Sequence, residues 1–222
     1  MTKRLLAKAK VHAIFTVFEQ EVALPEGELV HDNPFELLIA VILSAQATDI
    51  SVNKATEKLY QVANTPQAIL DLGEAKLKTY IKTIGLYNNK AKNIILTCAY
   101  LLEQHDGQVP NTLEGLMKLP GVGRKTANVV LQMAFGQATI AVDTHVFRVS
   151  RRLGLSNGNT PDAVEVDLMR VIPKVFHRYA HHWLILHGRY VCKARRPECQ
   201  NCQLTEYCRY FKSAAVDKRK QK

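Results

Sequence analysis

The chain has 222 residues, of which 30 are basic and 20 acidic, and its formal net charge is +10. An apolar share of 47% excludes an intrinsically disordered chain, and the length is enough for one large domain or two small lobes. A basic excess of this size favours polyanionic partners such as nucleic acid, although a basic soluble protein without such a partner fits the charge equally well.

The sequence predicts a protein that is neither exported nor inserted into a membrane. The basic N-terminus, Met1 to Val11, lacks the apolar core of a signal peptide. No apolar run reaches the roughly 18 residues that a membrane-spanning helix needs. Five cysteines, four of them clustered, favour a reducing compartment and a metal site over disulfides. We therefore expect a cytoplasmic protein, and we expect the basic tail Asp217 to Lys222 to be solvated.

Apolar residues at helical spacing recur along most of the chain. The predicted helices cover Leu5 to Glu21, Phe35 to Leu43, Asp49 to Val62, Leu86 to Gln104, Arg124 to Phe135, Pro161 to Val171 and Val175 to His187. Asn33-Pro34 and Thr160 predict N-caps of two of these helices, and Gly188 predicts the end of the last one. Strand-type alternation is scarce, and Thr139 to Val142 is too short to decide. The pattern predicts an all-α protein with about ten helices.

A glycine-containing hairpin, Leu119 to Ala127, lies between two of the predicted helices. Pro120 ends the first helix, while Gly121 and Gly123 permit positive φ and leave no Cβ between the backbone and a partner. The second helix presents unpaired amides and the positive end of its dipole, which suit a phosphate. The alternative is an ordinary corner between two helices, where glycine is also common.

Four cysteines near the C-terminus form a C-x6-C-x2-C-x5-C array: Cys192, Cys199, Cys202 and Cys208. A loop of this length cannot bury enough apolar surface to fold alone, so four thiolates on a tetrahedral metal or an iron–sulfur cluster would hold it together. Zinc ribbons tend to use two closely spaced pairs, and the array has one; the common ferredoxin spacings do not fit either. Cys98 lies among apolar residues at helical spacing and is predicted to be a core thiol.

The hairpin, the cysteine array and three further stretches resemble the endonuclease III family of the helix-hairpin-helix DNA glycosylase superfamily. The three stretches are LSAQATD at 43–49, IAVDTHVFR at 140–148 and HHWLILHGRY at 181–190. The match runs in order from Pro34 to Cys208 without large gaps.

The resemblance implies an all-α fold of two helical lobes with a DNA-binding cleft between them. One lobe is a six-helix domain at 23–135, with its helix-hairpin-helix motif at about 112–135. The other is a helical domain formed by 1–22 and 136–222, with the cysteine loop at 192–208.

The resemblance also implies a cofactor and a partner. The four cysteines would hold a 4Fe–4S cluster, and Lys193 and Arg195 would contact the DNA backbone; the alternative is that these cations only balance the charge of the cluster. The partner would be double-stranded DNA that contains damaged bases or abasic sites. We expect a monomer without membrane partners, associated with the nucleoid of a prokaryotic cell.

Lys125 is the predicted nucleophile. It lies in the first turn of the helix after the hairpin, where the helix dipole and the adjacent Arg124 both favour the neutral amine. In bifunctional family members a lysine at this position attacks C1′ of the deoxyribose, expels the base and cleaves the strand 3′ to the lesion by β-elimination. A phosphate-binding lysine is the alternative that the residues leave open.

Asp143 is the second predicted catalytic residue. The family match implies that its carboxylate stabilises developing oxocarbenium charge or shuttles protons for Lys125. From the sequence alone, Asp143 is an N-cap, and the two roles are compatible. His145 would orient Asp143 or a phosphate, with a structural role as the alternative.

A target base must leave the stack before an enzyme can reach its sugar. The family match nominates Gln46 and Leu86 as the residues that enter the duplex in its place. Without the resemblance, Gln46 is interpreted as a helix C-cap and Leu86 as a core residue.

The leading prediction is a bifunctional DNA glycosylase and abasic-site lyase that removes oxidised pyrimidines. One alternative is a monofunctional adenine or mismatch thymine glycosylase, against which the presence of Lys125 counts, because such relatives typically lack a lysine there. Two others are a non-catalytic iron–sulfur module that binds DNA and an electron carrier.

Overall fold

The computed structural model describes residues 4–23 and 27–213, so the predicted solvated tail at Asp217 to Lys222 lies outside the described residues. All regular secondary structure in these two ranges is helical, which confirms the predicted all-α class. Among the helices described, none has the length and apolar character required to span a bilayer.

The helices are joined by short connections. In chain order they are α1 Lys8–Glu21, α2 Pro34–Ser44, α3 Asp49–Tyr60, α4 Pro66–Leu72, α5 Glu74–Ile81, α6 Tyr87–His105, α7 Leu113–Met117, α8 Arg124–Phe135, α9 Thr144–Leu153, α10 Pro161–Val171 and α11 His177–Leu186. A 3₁₀ turn at Lys174–Phe176 precedes α11, a π-helix at His187–Val191 follows it, and a second 3₁₀ turn lies at Cys199–Asn201.

The chain divides into two compact units. The first, Gly27–Gln137, contains α2 to α8 and is called the hairpin unit below. The second combines the segment that carries α1 with the chain from Ala138 onward, and is called the cysteine unit. The predicted boundaries and the six-helix description of the first lobe remain predictions.

Helix α2 is the centre of the hairpin unit. Its residues from Phe35 to Leu43 are all buried, and it packs against α3, α6 and α8. Two side-chain hydrogen bonds start the helix: Asn33 Oδ1 accepts from the Glu36 amide at 2.9 Å, and the Glu36 carboxylate accepts from the amide of Asp32, the residue before the N-cap, at 2.7 Å. The predicted N-cap is confirmed, and the apolar run reflects burial on every side.

An aromatic cluster anchors the core of the cysteine unit. Phe15 of α1 stacks on Phe176 with ring centroids 5.8 Å apart, and Phe176 meets the edge of Trp183 at 6.2 Å. The buried Trp183 indole donates to the Val22 carbonyl at 2.7 Å. These contacts fix α1 against α11, although the two helices are far apart in the sequence.

Two predicted helix ends are wrong, and tertiary contacts explain both. Helix α1 starts at Lys8 rather than Leu5, because the Leu6 amide donates to the Gly154 carbonyl at 3.1 Å instead of joining a helix. Gly188 does not end the helix that contains Trp183; the chain continues through it as a π-helix. A Cβ at Gly188 would lie 2.8 Å from His145 Cβ, so glycine is needed here for close packing rather than for termination.

Candidate functional site

The hairpin lies between α7 and α8 and contains one glycine in the left-handed region. Gly121 has φ +80°, and a Cβ added to it would lie 2.8 Å from the Asn93 side-chain amide. Gly123 does not use positive φ, contrary to the sequence-based expectation, because it is the extended N-cap residue of α8 with φ −90°. No atom lies within 4 Å of a Cβ placed on Gly123, so the backbone is open to a partner there.

Helix α6 contacts this hairpin through the side chain of Thr97. The hydroxyl of Thr97, which is fully buried, donates to the Pro120 carbonyl at 3.0 Å. Leu119 and Val122 are also buried, and the Val122 amide donates to the Leu119 carbonyl at 3.0 Å. Anchored on both sides of Gly121, the hairpin holds a defined shape before any partner binds.

Arg124 and Lys125 are the first two residues of the twelve-residue helix α8. The first intrahelical bond is donated by the Ala127 amide to the Gly123 carbonyl at 2.9 Å. The earlier first-turn amides therefore have no acceptor within the helix and point along its axis. Lys125 is solvent-exposed at this end, so an amine, a set of amides and the positive end of the helix dipole lie together.

Gln46 and Leu86 share an unusual backbone conformation. Their φ values are +58° and +60°, and the third non-glycine residue with positive φ in the described chain is Asp106, whose short polar side chain tolerates it better. Both side chains are exposed, Leu86 to 59%, which excludes the core role that its apolar character suggests. A Cβ at Gly85 would lie 3.8 Å from the Gln46 carbonyl oxygen, so the two loops are neighbours.

Asp143 is the N-cap of α9, as its position in the sequence predicts. Its Oδ1 accepts from the Val146 amide at 2.7 Å, and the side chain is half-buried. The capping bond occupies one carboxylate oxygen and orients the other. His145 Nδ1 lies 3.2 Å from the Arg148 guanidinium, which also donates to the Gly188 carbonyl at 2.8 Å. His145 therefore has a clear packing role in the first turn of α9.

The four cysteines of the array line one pocket in the cysteine unit. Burial raises the pKa of the Cys202 and Cys208 thiols, and the other thiols of the array raise it further. Backbone amides counteract this: Leu204 donates to Cys202, and Tyr210 and Phe211 donate to Cys208. Among the described residues, no three His, Cys, Asp or Glu side chains are arranged as ligands of a single metal ion.

Arg152 fastens the first cysteine of the array. Its guanidinium donates to Cys192 Sγ at 3.4 Å and to the carbonyls of Lys193 and Ala194 at 2.7 and 2.8 Å. The same group lies 4.7 Å from the centroid of the Tyr210 ring. An arginine with this many fixed donors holds the start of the loop in one conformation.

The two predicted backbone-binding cations of this loop differ in their surroundings. Lys193 pairs with Glu198 within the loop, and both side chains are about half exposed. This pairing offsets part of the positive charge that Lys193 offers to a phosphate. Arg195 and Arg196 are exposed.

Comparison with known proteins identifies the family. The profile of the HhH-GPD superfamily base excision DNA repair proteins matches residues 39–174. The chain belongs to this superfamily. Endonuclease III of Escherichia coli strain K12 is 59% identical over 203 residues, which cover 91% of this chain and 96% of the relative. Endonuclease III of Rickettsia felis is 55% identical over 208 residues, covering 94% and 98% of the two chains.

A solved structure agrees with these relatives. It is described as a trapped endonuclease III–DNA covalent intermediate, an estranged-adenine complex, and it matches with a TM-score of 0.88 at 47% identity. The match covers 95% of this chain and all of the other. The chain is thus a member of the endonuclease III family. The predictions of family, helical fold and an enzyme of base excision repair, a DNA glycosylase and abasic-site lyase, are confirmed.

Sequence reasoning missed three residues that shape the sites of this endonuclease III family member: Lys90, Thr97 and Arg152. A signal for Lys90 is present, since it falls four residues before Ile94, in the apolar stripe of α6 where a charge is unexpected. Thr97 and Arg152 carry no comparable signal, because their partners, the Pro120 carbonyl and the 192–194 loop, are remote in sequence.

Proposed function

We propose that this protein excises oxidised pyrimidines from duplex DNA through Lys125 and then cleaves the abasic site 3′ to the lesion. The observation that carries the proposal is the position of Lys125. It is exposed in the first turn of α8, beside the amides of that turn and two residues after the N-cap Gly123, where the backbone is open to a partner. The covalent endonuclease III–DNA intermediate described for the 47% identical relative is the outcome expected from such a nucleophile.

The hairpin docks the DNA backbone. A phosphate accepts from the amides at the start of α8, Gly123 leaves room for its close approach, and Arg124 adds a positive charge. Because these amides contact only the phosphodiester, the docking is independent of base sequence. The hydrogen bond from Thr97 to the Pro120 carbonyl fixes the hairpin in advance, so little ordering is needed on binding.

The chemistry uses the amine of Lys125 and the carboxylate of Asp143. The neutral amine attacks C1′, the glycosidic bond breaks, and the bonding pair leaves with the base, which takes up a proton. Loss of the amine proton and opening of the sugar ring give a protonated imine between Lys125 and C1′. Removal of a C2′ proton then expels the 3′ phosphate by β-elimination, and water releases the enzyme. Asp143 stabilises the positive charge on the sugar and transfers protons, while its Oδ1 remains anchored to Val146.

Gln46 and Leu86 enter the duplex when the damaged nucleotide leaves the stack. Both are exposed residues held in a left-handed conformation that costs about 1–2 kcal/mol each. Strained residues of this kind persist where function requires a particular direction of the side chain. An apolar wedge such as Leu86 offsets part of the cost of unstacking, which is on the order of a few kcal/mol.

The cofactor of the proposal is a 4Fe–4S cluster held by Cys192, Cys199, Cys202 and Cys208, and the support for it is that these four side chains line one pocket. Four thiolates repel one another unless a positive centre lies among them, and the amide donors at Cys202 and Cys208 suit ligand sulfurs. When bound, the cluster supplies four metal–thiolate bonds that hold the loop. The exposed loop cations then present positive charge toward a DNA backbone, Arg195 above all.

The proposed partner is double-stranded DNA with damaged bases or abasic sites, bound by a monomer. Because a protein that repairs the genome must work where the genome is, the proposed location is the cytoplasm, in association with the nucleoid.

Borohydride trapping tests the nucleophile. Borohydride reduces an imine to a stable amine, so the protein and an oligonucleotide with an abasic site should form a covalent adduct that survives denaturing electrophoresis. Lys125→Gln should form no adduct and leave the strand uncut, yet still bind the duplex. Lys118→Gln is the matched control, because Lys118 is another exposed lysine beside the hairpin and pairs with Glu114 at 3.0 Å. An adduct with Lys125→Gln, or none with the unaltered protein, contradicts the proposal.

Asp143→Asn separates catalysis from capping. Asparagine caps helices as well as aspartate does, so the bond to the Val146 amide and the fold should survive. Excision should fall by about a hundredfold or more, because a charged group that stabilises the transition state is lost. Excision at the unaltered rate assigns Asp143 to capping alone. A panel of duplexes with thymine glycol, dihydrouracil, oxidised guanine or mismatches defines the base range.

Iron and sulfide analysis tests the cluster. The purified protein should contain about four iron atoms and about four inorganic sulfides per chain. Cys199→Ala should lose both and give less soluble protein. A fully folded, fully active Cys199→Ala variant without iron contradicts a structural cluster.

A further inference from the structure

Lys90 is a buried lysine that the proposed chemistry does not use. It lies in the first turn of α6, and only 5% of the residue is exposed. Its ammonium donates to two backbone carbonyls of another segment, Leu43 at 2.9 Å and Ala45 at 2.6 Å. This burial lowers the pKa of Lys90.

The two carbonyls belong to the C-terminal end of α2, which lacks a glycine cap. Ser44 Oγ donates to the Val41 carbonyl at 2.9 Å, and the Ala47 amide donates to the Ser44 carbonyl at 3.1 Å. Lys90 donates to the Leu43 and Ala45 carbonyls from outside the helix, and its positive charge suits the negative end of the α2 dipole. The residue immediately after Ala45 is Gln46, in its left-handed conformation.

Lys90 is also connected to the second wedge residue through its own backbone. Its amide donates to the Leu86 carbonyl at 3.1 Å, so Leu86 lies one helical turn before it. The Gln46 carbonyl lies 3.8 Å from the Cβ position of Gly85, the residue before Leu86. One residue thus binds the loop of Gln46 with its side chain and the loop of Leu86 with its main chain.

We propose that Lys90 is a positioning residue that holds Gln46 and Leu86 in the arrangement required for insertion into duplex DNA. The inference rests on the proposed function, since it concerns how the same enzyme opens its substrate. A left-handed residue that carries a side chain relaxes to a right-handed or extended backbone unless its surroundings prevent this. The two bonds from Lys90 provide that restraint at Gln46, and the neighbouring loop of Leu86 depends on the same restraint.

The test compares two substrates that differ only in whether a duplex must be opened. Lys90→Met keeps the length and apolar stem of the side chain but removes the donors. Strand cleavage at an abasic site in duplex DNA should fall at least about tenfold, because a ~1 Å misplacement of a positioning group can cost about a hundredfold. Cleavage of a single-stranded oligonucleotide with an abasic site should stay within about twofold, because it has no opposite strand to wedge apart.

Lys92→Met is the control, because Lys92 is an exposed lysine of the same helix. It should leave both activities unchanged. Equal losses of Lys90→Met on both substrates would indicate a general structural role and overturn the inference, as would full activity on the duplex.

If Lys90→Met does not fold, Lys90→Arg is measured in its place. Arginine retains the charge and the donors but places them differently. A loss confined to the duplex supports the inference, and an equal loss on both substrates or no loss overturns it. A failure of the proposed function is distinguishable, because the unaltered protein would then give no borohydride adduct with the single-stranded substrate.

Discussion

The left-handed backbone at Leu86 predicts that glycine at this position gives a more stable protein than alanine, the reverse of their usual order in a helix. Leu86→Ala and Leu86→Gly both remove the side chain beyond Cβ and differ only in the Cβ methyl group, so their difference in stability reports mainly on the backbone conformation. A residue with a Cβ at φ +60° costs about 1–2 kcal/mol relative to the right-handed region, and glycine avoids this cost. Glycine also gives the unfolded chain more conformational entropy, which lowers the stability of the glycine variant by about 0.4–1 kcal/mol. Leu86→Gly should therefore be more stable than Leu86→Ala by about 0.5–1 kcal/mol.

The matched pair is Leu96→Ala and Leu96→Gly. Leu96 is an exposed residue in the interior of α6, the helix that Leu86 precedes. Glycine at this position is expected to give a less stable protein than alanine, by about 1 kcal/mol. Urea denaturation of the four variants measures both differences. The order at Leu86 should be the reverse of the order at Leu96, and the same order at both sites would refute the claim of stored strain.

Activity should not follow stability at this position. Both Leu86 variants lack the proposed wedge side chain, so base excision from duplex DNA should fall in both, although one of them is the more stable protein. This separation is expected where a strained residue is retained for function rather than for folding.

Three further predictions follow from contacts in the two units. Thr97→Val leaves the Pro120 carbonyl without its donor, so it should lower the free energy of unfolding by about 1–2 kcal/mol and weaken DNA binding. Thr56→Val is the control: the Thr56 hydroxyl donates within its own helix, so its loss should not affect DNA binding. Gly188→Ala forces a Cβ against His145 and should cost about 1–3 kcal/mol in thermal or urea unfolding, while an unchanged midpoint would show that the packing relaxes freely. Burial raises the pKa of Cys98 to about 12, so the protonated thiol stabilises the fold below the unfolded pKa near 9, and this contribution is lost between pH 9 and 12. Cys98 should therefore resist thiol reagents at pH 8 until urea unfolds the chain. Rapid labelling of the folded protein would contradict this prediction.

Local signals in the sequence were sufficient for several features of the fold. Asn33-Pro34 and Thr160 start helices where predicted, because an N-cap bond joins residues only three apart. The apolar run from Phe35 to Leu43 indicates a helix buried on all sides, and α2 has this environment. The hairpin glycines indicated a close backbone approach, although only Gly121 needs positive φ.

The tertiary structure decided the features that depend on partners remote in sequence. Leu86 has the apolar side chain of a core residue, yet it is exposed, because its backbone is in a left-handed conformation just before α6. Gly188 has the position of a helix terminator, yet it serves the packing of α9. Lys90 is an unexpected charge in the apolar stripe of α6, but its acceptors, the Leu43 and Ala45 carbonyls, lie more than forty residues earlier, and only the folded unit identifies them. Hydrogen-bond partners three or four residues apart are encoded locally, whereas contacts across a folded unit exist only once the core has formed.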